Sequence, residues 1–283
     1  MPARVADAQG PERDRKAHAR YLALNVVIGA TAATARAMAS GTSVRAALTR
    51  GLVGGSLMSA GMELVGTESA NARIVGLQIA SVGASVTRNA DAGVPLFSDL
   101  TLPIYPLYVR VRPGASHPVT ARLSLLSAVR LTRVLTREDR PDVDWRATLA
   151  SGAPVLASSR WRLESRSCPP PCEGSFAQHN AGVIVYSASA GTDYDLRRTL
   201  AHETMHVVQH TRDAVLHAIP ASDGMLQRGG RPGRLLSRFI VADLVLPMRL
   251  IDETESRLRG ARARDSWYEL EARAFAPGGE LFR

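Results

Sequence analysis

The chain has 283 residues, 45% apolar and only 5% aromatic, with a net charge of +9. It is long enough to bury a sizeable core in one large domain or two small ones, and too apolar for wholesale disorder. Lys16 is the only lysine; the arginines form no run of about five like charges and have no interleaved aromatics, so no nucleic-acid partner is expected.

Residues 1–20 are polar and charged and read as a flexible leader. The stretch from Tyr21 to Ala35 carries no charge. Preceded by Arg13, Arg15, Lys16 and Arg20, it has the layout of a secretory signal, with Ala33-Thr34-Ala35 as a small-residue cleavage site. Gly51 to Met62 and Ile74 to Thr87 are also uncharged, and each is shorter than the roughly 18–20 residues of a membrane span. Both are dense in Gly, Ala and Ser, which let helices approach closely. Residues 21–94 are therefore expected to form three or four tightly packed helices. These would make a soluble layer, lie at a membrane interface or form a short inserted hairpin. Flanking Arg36, Arg45, Arg50 and Arg73 point to a membrane surface as a partner and to a membrane or cell-envelope location, with the cytoplasm left open.

From Pro95 the texture changes. Leu102 to Pro113 is punctuated by proline and ends in apolar–polar alternation, which favours strand. Val119 to Leu135 alternates in its first half, while its second half suits a helix equally well. Gly182 to Tyr186 is β-branched and reads as a central strand. A small, mostly antiparallel sheet is expected over residues 95–188, and its edge near Gly182–Tyr186 is expected to hold a substrate strand by backbone pairing. Cys168 and Cys172 flank three prolines; a loop disulfide and free thiols are both open.

From Asp193 the apolar spacing turns helical through Leu196, Leu200, Met205 and Val208, with Asp193 or Asp195 as the cap. Gly224–Gly233 reads as a Gly/Arg/Pro loop. Arg234–Leu246 reads as an apolar helix ended by Pro247, and Glu253–Phe275 as a further helix.

The chemistry-bearing residues are His202-Glu203-Thr204-Met205-His206. Histidines four apart on a helix project from one face and can share a metal ion. Glu203 then lies beside the ion, within reach of water bound there. Zinc lowers the pKa of such water from about 15.7 to about 7, and the glutamate can take its proton and pass it to a leaving amine. A catalytic zinc needs a third protein ligand and an open position. His210 is eight residues from His202, about 12 Å along a helix, too far to share the ion. His217 qualifies only if the helix breaks before it. A metzincin arrangement needs Gly at 209 and His at 212, and the chain has Gln209 and Arg212. The acidic candidates are Glu253, Glu255, Glu269 and Glu271.

The two motifs, His202-Glu203-x-x-His206 and Glu269-x-x-Ala272-Arg273-x-x-Ala276, resemble the gluzincin metallopeptidases, especially those of the Ste24/HtpX type. The resemblance covers residues 195–280. It implies that His202, His206 and Glu269 bind zinc and that Glu203 is general base and then acid; read without the family, Glu269 lies on an amphipathic helix and Glu271 is the runner-up ligand. Arg273 stands where that family usually carries aspartate. The His202–Gln209 segment is also similar to small bacterial metallopeptidase-like domains attached to secreted toxins and contractile injection systems.

The expected fold class is α+β: a leader over 1–20, small-residue-rich helices over 21–94, and a metallopeptidase-like domain over 95–283 that closes with a zincin-like helix pair. The expected function is zinc-dependent hydrolysis of a peptide or protein substrate. The alternative is an inactive metal-binding protein or a membrane-associated scaffold.

Overall fold

The structure, a computed structural model, describes residues 10–158, 177–187, 193–241 and 267–276, apart from residues 42, 68 and 139. The class is α+β. Three long helices open it: α1 (Gly10–Ser40), α2 (Val44–Val65) and α3 (Ala70–Asp91). Helix α1 begins at Gly10, so half of the polar leader is helical. The hydroxyls of Ser43 and Ser69 cap the next two helices by accepting from the N–H groups of Ala46 and Ala72.

The glycines set how close these helices come. A Cβ built on Gly51 would lie 2.4 Å from the Gly29 carbonyl oxygen, and one on Gly61 would lie 2.3 Å from the Ala80 nitrogen. Backbone therefore meets backbone along both seams, and no larger residue fits without moving a helix.

Two four-stranded sheets follow where one was expected. In the first, β1 (Leu100–Ile104), β2 (Leu107–Val111) and β3 (Val119–Ser124) run antiparallel, so Leu102–Pro113 is a hairpin and not one strand. Its fourth strand, β8 (Ile240–Val241), pairs in parallel with β3. The second sheet is ordered β4 (Asp142–Val143), β5 (Val155–Ser158), β7 (Val183–Ser187), β6 (Ala177–Asn180). Strand β7 pairs with β5 on one side and β6 on the other, and Val183, Ile184 and Val185 are buried. It offers no free edge, so the expectation that Gly182–Tyr186 holds a substrate strand is withdrawn. Helix α4 (Leu125–Leu135), capped by Ser124, is the helical second half of the ambiguous run, and α5 (Trp145–Ser151) is capped by Asp144.

Helix α6 (Asp193–Asp213) passes without a break through a π-helical turn at Ala214–Ala218 into α7 (Ile219–Arg228), and α8 (Gly230–Leu236) follows. The segment Gly224–Gly233 is thus largely helical and not a loop. Gly230, at φ +71, makes the one break, and Pro232 falls in the first turn of α8, where its missing N–H costs nothing. The apolar helix expected over Arg234–Leu246 stops at Leu236. The β-branched pair Ile240-Val241 instead takes the free side of β3, where Leu123 N–H already donates to Phe239 O at 2.8 Å. Residues 242–247, Glu253, Glu255, Cys168 and Cys172 lie outside the described residues. Helix α9 (Trp267–Phe275) is the described part of the last expected helix.

Among the described residues a main hydrophobic core joins the opening helices, both sheets and α6, and two smaller buried clusters lie outside it. Met58, Met62 and Leu77 of the opening helices pack with Ile184 of β7 and with Met205 and Val207 of α6. Within α1, Lys16–Ala39 is long and apolar enough to cross a membrane by length and composition, with mean hydropathy 1.4; a core helix or a signal sequence meets the same description.

Candidate metal centre

Helix α6 is buried nearly all round. Met205, Val207 and Val208 are 1% exposed or less, and so are the polar residues Thr204, Gln209 and His210. Polar side chains on a core helix cost several kcal/mol unless each finds a partner or a ligand, at roughly 1–3 kcal/mol per unpaired group. Thr204 is settled locally by donating to Leu200 O at 2.6 Å. Gln209 turns to α9, where its Nε2 donates to Tyr268 O at 2.8 Å and to Glu271 Oε2 at 3.0 Å.

Opposite α6, α9 brings one carboxylate between the two histidines. His206 Nε2 lies 3.2 Å from Glu269 Oε1, and His202 Nε2 lies 3.5 Å from Glu269 Oε2. One ligand atom from each of the three residues lies within 4.8 Å of the other two. This His–His–Glu group is buried on its histidine side and reaches solvent through Glu269, whose side chain is 34% exposed. It could hold a metal ion. Burial alone would raise the Glu269 carboxyl. The charges of His206 and His202 and their hydrogen bonds outweigh that and hold it far below the usual carboxylate range.

The surroundings suit a cation. His202 Nδ1 is buried with no hydrogen-bond partner among the described residues, so its ring has no competing tie there. His206 is tied: its Nδ1 donates to Gln209 Oε1 at 2.7 Å, an arrangement common behind a metal-ligating imidazole. Glu203 is buried beside His202, and its carboxylate has no ion-pair partner among the described residues.

Glu271, the runner-up ligand, is elsewhere engaged. It is fully buried and accepts from Asn25 Nδ2 at 3.0 Å, Gln209 Nε2 at 3.0 Å, and Arg212 Nη1 at 2.9 and 3.0 Å. Desolvation alone would lower the Arg212 guanidinium, but the neighbouring Glu271 and Asp213 carboxylates raise it above its usual value. His210 is 1% exposed and packs against Tyr105 and His179, apart from the centre. His217 is exposed on the π-helical turn, since α6 does not break before it. Arg273 is partly exposed, and no contact of it with the three-residue group is seen among the described residues.

Four residues of this neighbourhood carry roles that the sequence does not announce. Gln209 and Arg212 follow His206 at steps of three, which keeps them toward the α9 side of the helix. In the sequence they speak only against a metzincin. Asn25 is a lone amide in an apolar run, the mark of a buried hydrogen bond. His179, whose ring stacks on that of His206 at 6.1 Å between centroids, is delivered by the β6–β7 hairpin and has no local signal. Compared with known proteins, the chain matches no family model, no curated protein and no solved structure.

Proposed function

We propose that the chain is a zinc-dependent peptidase whose metal ligands are His202, His206 and Glu269. The observation that carries this reading is the meeting of these three side chains, from helices far apart in sequence, within 4.8 Å. Two imidazoles and a carboxylate form the three-ligand set of a catalytic zinc with an open position. The same residues carry the resemblance to gluzincin peptidases.

Zinc held there would polarise the scissile carbonyl and lower the pKa of water from about 15.7 to about 7. Glu203 takes the proton of the attacking water as its oxygen bonds to the carbonyl carbon. The glutamate then delivers that proton to the departing amine nitrogen as the C–N bond breaks. Glu203 suits both steps because it is shielded from bulk water and has no fixed cation beside it among the described residues.

The test is metal content and peptide hydrolysis after dialysis, in the native chain and in Glu203→Gln. Both should retain about one zinc, and the variant should lose roughly 10²–10⁴-fold in rate. Zinc retained with no hydrolysis by either chain would make the site structural. Loss of zinc from both would end the reading.

A further inference from the structure

We infer that Gln209 is a positioning residue that fixes which ring nitrogen of His206 faces the metal centre, and that the buried Arg212–Glu271 pair, held by Asn25 of α1, fixes Gln209 in turn. The inference rests on the metal-centre reading above and assigns its supporting shell.

The argument is a count of donors and acceptors. Gln209 Nε2 has two hydrogens and meets two groups that can only accept, Tyr268 O at 2.8 Å and Glu271 Oε2 at 3.0 Å. Turning the amide over would set its oxygen against both. The amide orientation is therefore fixed, and Oε1 is left facing His206 Nδ1 at 2.7 Å. An amide oxygen only accepts, so Nδ1 must carry the hydrogen. Nε2, on the Glu269 side at 3.2 Å, is then the ring atom available to a cation.

The second link obeys the same logic. Both Glu271 oxygens are set as acceptors by the donors that face them. Arg212 Nη1 bridges the two oxygens at 2.9 and 3.0 Å. Asn25 closes the group with an orientation of its own: Nδ2 donates to Glu271 Oε1 at 3.0 Å, and Oδ1 accepts from Arg212 at 3.2 Å. Reversing Asn25 would put its oxygen on the carboxylate and its NH₂ on the guanidinium. Every bond in the chain Asn25–Arg212–Glu271–Gln209–His206 thus has one permitted direction. His202 lacks such a support, its Nδ1 being unpartnered among the described residues. The metal centre is built with one fixed imidazole and one adjustable one.

The experiment is a long-range ¹H–¹⁵N correlation spectrum of the histidine rings in metal-free protein, with His206 assigned by the signals missing in His206→Gln. A competition measurement of zinc affinity accompanies it. The wild type should show His206 protonated at Nδ1 both before and after zinc is added. In Gln209→Met, that hydrogen-bonded Nδ1–H signal should be lost while the His202 signals hold, and the zinc dissociation constant should rise about 10–100-fold. A wild-type His206 carrying hydrogen only on Nε2 overturns the inference, and so does a folded Gln209→Met chain that keeps both the signal and the affinity. The wild-type spectrum decides even if the variant does not fold. It also needs no metal, so failure to bind zinc would sink the peptidase reading while leaving this one to be judged separately.

Discussion

Replacing Arg212 by methionine keeps most of the side chain's volume and removes its charge. Glu271 would then remain at 0% exposure with two of its contacts gone, held only by Asn25 and Gln209. Removing one partner of a buried ion pair costs about 3–5 kcal/mol, because the abandoned charge keeps its desolvation penalty. The reverse change, Glu271→Gln, should cost less, about 1–3 kcal/mol. Arg212 would still have Asp213 at 3.3 Å and Asn25 at 3.2 Å, and the new amide would still offer an acceptor. The two changes together should fall short of their sum by at least about 1 kcal/mol, since a neutral amide at position 271 leaves no orphan charge for Arg212→Met to expose. Urea unfolding of metal-free protein at pH 7, followed by far-ultraviolet circular dichroism, measures all three. Arg212→Met within about 1 kcal/mol of wild type, or strict additivity of the pair, would refute the claim that a buried ionised pair holds α6 to α9.

The glycine seams predict opposite outcomes for one substitution: Gly61→Ala should cost about 1–3 kcal/mol because its Cβ meets backbone at 2.3 Å, whereas Gly224→Ala, with no atom within 4 Å, should stabilise α7 by about 0.5–1 kcal/mol in the same assay. Free zinc at about 100 times its dissociation constant should add about 2.7 kcal/mol to the stability of the native chain, seen as a rise in Tm that EDTA reverses, and Glu269→Gln should abolish most of it. Burial pushes the Tyr186 phenol from 10.0 up to about 12, helped by its hydrogen bond to the Asp144 carboxylate. A folded value above the unfolded one means that this contribution to stability is full below pH 10.0 and lost as pH rises toward about 12. Tyrosinate absorbance, as the difference between wild type and Tyr186→Phe, should show that late titration, and Asp144→Asn should bring it to lower pH.

Much of the centre was legible because its logic is local. Histidines at a spacing of four on a helix must share a face, and that geometry needs no tertiary knowledge. Glu269 was reachable through a second motif. The choice between Glu269 and Glu271 was not, because residues two apart on a helix point about 160° from one another, and only the placement of α9 says which one meets α6. The helical layer was legible from glycine and alanine density. The number of sheets was not: the parallel pairings β3–β8 and β5–β7 join segments far apart in the chain, and their register is set by packing. The Ile240-Val241 strand is the clearest loss. Its apolar neighbours read as a helix, and an open sheet side decided otherwise. Gln209 and Arg212 show a different limit. Set against a known pattern, they count only as its failure. Their role comes from asking where a buried amide and guanidinium find partners, and the answer lies on another helix.

That same question bears on α1. Its stripe His18, Tyr21, Asn25, at steps of three and four, lies against the helices that carry the His–His–Glu group. His18 Nδ1 bonds Ala274 O at 2.9 Å, the Tyr21 ring meets Trp267 edge-on at 5.0 Å, and Asn25 reaches Glu271. The exposed Val27, Ile28 and Met38 supply the apolar character that lets the same segment read as a span or a signal. Either of those uses would carry Asn25 away from a carboxylate at 0% exposure. The buried pair would lose the amide that bridges both of its members, and Gln209 would lose part of what holds the carboxylate in front of it. A polar residue reached from the far end of the chain thus ties the placement of the first helix to the order of the His–His–Glu group, and any departure of α1 should register there as well as at the surface it leaves.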